Sequence, residues 1–430
     1  MSIRGRAVLL GLAGLPLLFV VAPWKAAALW IAVWVSLVAL DVLLAVSPKR
    51  LRVDRADIPS VRLGGSVHVP LLATNTGNRR FTGALRDGWP PAAGLDPDRV
   101  AISVPGGQRR RYTLSASPTR RGHRTSGQVT VRSFGPLGLA ARQRSRDVPG
   151  VIRVLPAFHS RKHLPSRLAR LREIDGRSAV MVRGQGTEFD SLRDYVPGDD
   201  VRSIDWRATA RRQAVVVRTW RPERDRRVLL VLDTSRTAGV RVGDEPRLDA
   251  AMDAALLLAA LASRAGDRVD LVAMDRVVRT RVLGQTGQQL MPNLVEGMAP
   301  LEAVLVEADW TRIVAEVQQR VPQRALVVLL TALDAAAAEA GVLPVAARLA
   351  ATHTVMVASV ADPALAAMAR GRADSVQVYD AAAAIRGELD RAGVSAALAH
   401  AGVHVVDAEP NDLPPRLADA YLALKEAGRL

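Results

Sequence analysis

Between Ala26 and Val46 the chain runs for 21 residues with one charged side chain, Asp41. A helix of that length crosses a hydrocarbon layer of ~30 Å. An earlier run, Ala7 to Ala22, has no charge. It is 16 residues long and broken by Pro16, just under the usual lower limit of about 17. Pro23-Trp24-Lys25 is the only separator, which predicts a hairpin of two spans, about 7–22 and 26–46, with Trp24 at the interface. Arg4 and Arg6 precede the first run, and Lys49, Arg50, Arg52 and Arg55 follow the second. The turn holds only Lys25, so the positive-inside rule predicts that both ends and the bulk of the chain are cytoplasmic. A signal peptide is the competing reading, with Ala26-Ala27-Ala28 as its cleavage site. A long apolar segment directly after that site would still anchor the chain. Asp41 sits near the end of the second run, where snorkelling to the interface is expected.

The 430 residues are about three times a ~150-residue domain, so two or three folded units are expected. Hydrophobic residues at 49% exclude global disorder. The absence of Cys excludes disulfide scaffolds, thiolate zinc sites and Cys nucleophiles. The net charge of +17 is uneven: residues 51–230 alone carry +19, while 231–330 and 331–430 carry −2 and −4. The basic excess therefore belongs to the half nearest the apolar runs. That pattern suits an anionic membrane surface or a nucleic acid.

Residues 51–155 change character. Leu51 to Val53, Ser66 to Ala73, Val100 to Val104, Arg111 to Ala116, Gly127 to Arg132 and Val151 to Leu155 read as short strands. Turn residues punctuate them, as at Gly64-Gly65 and Gly106-Gly107. A small β-sandwich follows. Arg109-Arg110-Arg111 and Arg120-Arg121 are expected on its surface. No aromatic set accompanies them for base stacking, so lipid is preferred to nucleic acid.

Residues 184–212, GQGTEFDSLRDYVPGDDVRSIDWRATARR, interleave six carboxylates with five arginines. Paired carboxylates could do acid–base work if environment pushed their pKa values apart. Oxygen ligands could hold a metal. The favoured reading is an Arg–carboxylate network that orders a loop, because the cluster has no His for a nucleophile–base pair.

The order and spacing of Gly184, Gly186, Glu188, Phe189, Leu192, Arg193, Tyr195, Pro197, Gly198, Asp199, Asp200, Arg202, Ile204, Asp205 and Trp206 resemble the signature of a bacterial family, domain of unknown function fifty-eight. Pro118-Thr119-Arg120-Arg121-Gly122, Ser133 to Leu139 (SFGPLGL) and the apolar N-terminus fit the same resemblance. It implies a C-terminal half similar to von Willebrand factor A domains, a MoxR-type AAA+ ATPase as partner and a bacterial inner-membrane location. It implies no defined biochemical activity.

The residues from 227 onward support an α/β domain independently. Arg227 to Asp233 and Ala325 to Leu330 are continuous apolar strands, with further strands at 269–274, 353–360, 376–379 and 403–406. Helix patterns cover Arg247 to Ala265, Trp310 to Arg320 and Pro415 to Glu426. The alternation predicts a doubly wound parallel sheet, with ligands at the carboxyl ends of its strands. The first strand ends in Asp233-Thr234-Ser235-Arg236-Thr237, which resembles the Asp-x-Ser-x-Ser metal site of von Willebrand A domains. Asp233, Ser235 and Thr237 would offer oxygen ligands to Mg²⁺ or another hard cation. Ala332 stands where metal-binding relatives have Asp, and the Gly-Gly-Thr expected before Trp310 is missing. Weak binding is therefore expected, with Asp309 or Asp334 as possible substitutes.

There is no G-x-x-x-x-G-K-[ST], H-E-x-x-H or G-x-S-x-G. The sequence thus reads as four parts: a transmembrane hairpin (1–50), a β-sandwich (51–155), a linker carrying the signature (156–226) and an α/β domain (227–430). The expected role is a membrane-anchored, non-enzymatic interaction or scaffold protein that works with a MoxR-type ATPase and no nucleic acid. The alternatives are a hydrolase using the carboxylates of 188–205, or a basic nucleic-acid binder.

Overall fold

The computed structural model describes residues 2–16, 23–181, 188–221, 226–334 and 338–430. It divides into two compact units, Met1–Leu155 and Pro156–Leu430.

The first unit opens with β1 (Ser2–Ile3), α1 (Gly5–Leu12) and α2 (Pro23–Leu44). The stretch Trp24–Arg50 is long and apolar enough to cross a membrane, and only 17% of its most apolar window is buried. That low burial sets it apart from the core helix of a soluble protein, which is mostly buried. Helix α1 runs antiparallel beside α2. Trp34 Nε1 donates to Ala7 O at 2.7 Å, and Trp30 Nε1 to Gly11 O at 3.2 Å. The first apolar run ends in residues 17–22, outside the described residues.

Ten strands follow: β2 (Leu51–Arg55), β3 (Val61–Arg62), β4 (Val67–Asn75), β5 (Phe81–Asp87), β6 (Arg99–Val104), β7 (Arg109–Ala116), β8 (Gly122–Thr125), β9 (Gln128–Phe134), β10 (Ala140–Asp147) and β11 (Val151–Leu155). They form sheets in the orders β1-β10-β9-β5-β6, β2-β4-β7 and β3-β11-β8. Alternation does the work. Val67, Val69, Leu71 and Ala73 of β4 point inward between more exposed neighbours. Phe81, Leu85, Ile102, Val131 and Ile152 of the other sheets join them in one hydrophobic cluster. Inside the unit, Arg55 forks onto Asp87 (2.7 and 2.8 Å), and Trp89 Nε1 donates to the same carboxylate at 2.8 Å. Arg109 to Arg111 are exposed as expected, but Arg121 is buried, which corrects its assignment to the surface.

Asp41 does not snorkel. It is fully buried and accepts from the backbone N–H groups of Leu137 (2.7 Å), Leu139 (2.7 Å) and Ala140 (2.8 Å). The Ser133 to Leu139 stretch therefore docks directly on α2.

The second unit contains α3 (Leu164–Met181), β12 (Glu188–Asp194), α4 (Trp206–Arg212) and β13 (Val216–Arg221), with β12 and β13 paired antiparallel. A mixed sheet follows, built from β14 (Arg227–Asp233), β17 (Arg268–Met274), β18 (Val278–Val282), β19 (Leu326–Leu330), β20 (Thr354–Val360) and β21 (His404–Ala408). The two-stranded ribbon β15 (Arg241–Val242) and β16 (Glu245–Pro246) lies between β14 and β17 in sequence. The sheet order is β18-β17-β14-β19-β20-β21, parallel except for the antiparallel edge β18. Counted in chain order this is 3-2-1-4-5-6, the doubly wound order with a switch point between β14 and β19. Helices α5 (Arg247–Arg264), α6 (Leu290–Met298), α7 (Trp310–Arg320), α8 (Leu343–Ala350), α9 (Pro363–Met368), α10 (Ser375–His400) and α11 (Leu413–Glu426) accompany it. The strand expected at 376–379 lies inside α10, whose first turn is capped by Asp374 accepting from Gln377 N at 2.8 Å.

Candidate functional site

Two places answer to the sequence expectations: the signature segment and the carboxyl end of β14.

In the signature segment Asp199, Asp200 and Asp205 serve the local backbone. Pro197-Gly198 turns the chain, with Gly198 at φ +108°, a region that favours glycine. Asp199 accepts from Val196 N at 2.9 Å and pairs with Arg193 at 2.5 Å. Asp200 accepts from Arg202 N at 2.9 Å. Asp205 caps α4, accepting from Arg207 N (3.0 Å) and Ala208 N (2.9 Å), and its other oxygen takes Arg218 Nε at 2.8 Å. The helix-cap bonds and then Arg218 hold its carboxyl below the usual value. Asp205 therefore pairs with Arg218 of β13, not with Arg202. Ile204 bridges to Val217, and Tyr195 N donates to Val215 O at 2.8 Å, so the loop is stitched onto β13. Trp206 is left 68% exposed, with Val196 and Val201 exposed as well. Leu192 opposes Arg218 in the β12–β13 ladder. Gly184 and Gly186 lie outside the described residues, and Glu188 and Phe189 are described by their backbone alone.

At the switch point, Asp233 ends β14 and is buried with Thr234, Ser235 and Thr237. Its carboxylate accepts from Ser235 N (2.8 Å), Thr331 Oγ1 (2.6 Å) and Thr237 Oγ1 (3.4 Å), and the Ser235 and Thr237 hydroxyls lie 3.1 Å apart. Burial raises the Asp233 carboxyl above its ordinary value, and the hydrogen bonds from Thr331 and Ser235 oppose that rise. Thr331, at the end of β19, was not singled out from sequence. Its position after the ALVVLL strand, on the neighbouring side of the switch point, was the available signal.

Asp309 and Asp334 are employed elsewhere. Asp309 caps α7 through Arg312 N at 3.0 Å. Asp334 pairs with Arg247 at 3.2 Å. Arg247, 7% exposed, lines with Asp233, Thr331 and Ala332 a cavity of about 20 Å³. That is room for about one water, far below the ~300 Å³ where ligand pockets begin. Among the described residues no cluster of three His, Asp or Glu side chains has metal-binding geometry. The lining offers one carboxylate, Asp233, and one hydroxyl, Thr331, beside Arg247, a set that does not fit a resident divalent cation.

Comparison with known proteins bears on the same region. Residues 191–399 match the family described as Protein of unknown function DUF58. The matched stretch takes in the signature from Leu192 onward and most of the mixed sheet. Uncharacterized protein Rv1480 of Mycobacterium tuberculosis is 31% identical over 121 residues, 28% of this chain and 38% of that protein. Uncharacterized protein YeaD of Bacillus subtilis is 25% identical over 122 residues, 28% of this chain and 30% of that protein. The match thus spans well under half the length of these relatives. Among solved structures, the CARDB domain of the PF1109 protein from Pyrococcus furiosus gives a TM-score of 0.18 at 12% identity, over 24% of this chain and 84% of that one. A beta-glucosidase from Listeria innocua gives 0.16 at 13% identity, over 24% and 16%. Scores this low carry no argument.

Proposed function

We propose that this chain is a membrane-anchored, non-enzymatic docking protein whose DUF58 segment receives a cytoplasmic partner. The observation that supports it most is the division of labour in the signature. Asp199, Asp200 and Asp205 are spent on turn and cap N–H groups, which leaves them poorly placed for acid–base chemistry. Trp206, Val196 and Val201 stand exposed beside them. An exposed Trp in a charged, ordered surround has the composition of an interaction hot spot.

The family resemblance names the partner class as a MoxR-type AAA+ ATPase and the C-terminal fold as von Willebrand factor A-like. The doubly wound order with Asp233 at its switch point is consistent with that fold. Anchoring rests on α2, with the hairpin, the two spans and the cytoplasmic placement as parts of the same proposal. Mg²⁺ would enter only if a partner carboxylate completed the Asp233 set and displaced Arg247.

Capture of a purified MoxR-type ATPase by the full chain tests the reading. Retained capture in an Asp199→Asn variant that loses a measurable hydrolytic turnover would instead favour the hydrolase.

A further inference from the structure

The outer face of the five-stranded sheet is strongly basic. Strand register sets Arg86 opposite both Arg99 and Thr130, Ala84 opposite Arg132, and Arg132 opposite Gln143. Residues paired across neighbouring strands share a face. Phe134, Ala141 and Ser2 form the next row. With Arg4 and Gly5 they line a cavity of about 340 Å³, in the size range of small-ligand pockets (about 300–1,000 Å³).

Four arginines line this cavity and no lining residue is acidic. Among the described residues Asp98 is the carboxylate paired with them, contacting Arg86 at 2.7 Å and Arg99 at 3.5 Å. Arg132 donates Nε to Gln143 Oε1 at 2.8 Å, and the Arg4 guanidinium lies 4.1 Å from the Phe134 ring centroid. Gly5 begins α1, whose first turn carries neither an acidic side chain nor a side-chain cap. Its unfilled N–H groups add positive potential at the cavity rim.

The location selects the ligand. Ala7 lies beside Trp34 of α2, so the Arg4 end of α1 lies toward Asp41. Arg4 N donates to Leu139 O at 2.9 Å, and Leu139 N donates to Asp41. The cavity therefore sits beside the end of the apolar stretch, at headgroup depth if α2 spans a bilayer.

We propose that this cavity binds the phosphate of an anionic lipid headgroup. Arg4, Arg86, Arg99 and Arg132 supply charge-assisted hydrogen bonds of the kind guanidinium makes with phosphate. The proposal rests on the anchoring part of the reading above and is independent of any protein partner.

The test uses the full chain in neutral detergent. Thermal melting is followed with dihexanoyl phosphatidylglycerol, dihexanoyl phosphatidylcholine or inorganic phosphate at equal concentration. Phosphatidylglycerol should raise the melting temperature and phosphatidylcholine should not. Arg86→Gln/Arg99→Gln, at exposed positions, and Arg132→Gln should each weaken the phosphatidylglycerol response at least tenfold, while Arg111→Gln on another sheet should leave it intact. Equal responses to the two lipids, or wild-type responses in both pocket variants, would overturn the site. An equal shift from inorganic phosphate would overturn the lipid source. Membrane fractionation separates the two readings: a soluble chain that still responds to phosphatidylglycerol alone keeps the pocket and loses the anchor.

Discussion

Asp41 Oδ2 accepts from Leu139 N at 2.7 Å across 98 residues of sequence, and so ties the apolar helix to the β-rich body. The same carboxylate takes Leu137 N and Ala140 N. The loop approaches so closely that a Cβ on Gly135 would collide with the Asp41 carboxylate and main chain. A charged residue near the end of an apolar run therefore serves as a joint. It holds the helix at a fixed attitude to the sheet that carries the basic cavity.

Asp41→Ala leaves three backbone donors without their acceptor. Two of them, on Leu139 and Ala140, are buried, and each buried unsatisfied group costs about 1–3 kcal/mol, so the variant should lose at least about 2 kcal/mol. Asp41→Asn keeps one acceptor oxygen and should lose less. Gly135→Ala should resemble Asp41→Ala. Melting of the detergent-solubilised chain checks the order, and wild-type melting in Asp41→Ala would refute the joint.

The Arg55–Asp87 pair makes a second stability prediction. Both side chains are almost fully buried, at 3% and 0% exposure. Removing one partner of such a pair strands the other charge, at a cost of about 3–5 kcal/mol. Asp87→Ala should therefore destabilise the β-rich unit strongly, and Arg55→Met/Asp87→Leu together should recover much of the loss. Denaturant unfolding of the single and double variants decides it.

Glu316 predicts a pH dependence. Hydrogen bonds from Arg281 (2.7 and 3.1 Å) hold its carboxyl below 4.5, burial opposes them, and Arg320 assists. A carboxyl with a depressed folded pKa binds fewer protons folded than unfolded as the pH falls through that window. Its stabilisation is present above 4.5 and is lost as the pH falls through the folded value. Glu316→Gln should cost about 1 kcal/mol at neutral pH, a figure reduced for the partly solvated arginines. The gap from wild type should narrow as the pH drops below 4.5. A gap that widens on acidification would contradict the assignment.

What could be read from the sequence follows physical range. Strands β14 and β19 and helix α5 were readable because their apolar patterns are local and continuous. Strand β10, AARQRSRD, was not, since its charged face is long and its inward face is short. Val376 to Tyr379 carries the β-branched and aromatic residues of a strand, yet it follows a capping Asp374 and forms the start of a 26-residue helix. The Asp233, Ser235 and Thr237 cluster was visible as a motif, and the structure brings those three together. Arg247 and Thr331, which decide its chemistry, come from separate elements that the topology alone unites.

That chemistry makes the cation prediction specific. With one carboxylate and the Arg247 guanidinium at the cavity, Mg²⁺ should leave the melting of the isolated chain unchanged. A ligand that bound the folded state would raise it in proportion to the logarithm of its concentration. A saturable Mg²⁺ shift removed by Asp233→Ala would show a resident metal site after all.

The docking reading is tested most directly by the affinity of the full chain for a purified MoxR-type AAA+ ATPase, measured for wild type and Trp206→Ala. The exposed Trp206 should act as an anchor, and truncation of such residues commonly costs about 2 kcal/mol or more. Wild type should bind, and Trp206→Ala should bind at least about tenfold more weakly with its melting temperature unchanged. No binding by wild type, or equal binding by both, would contradict the account.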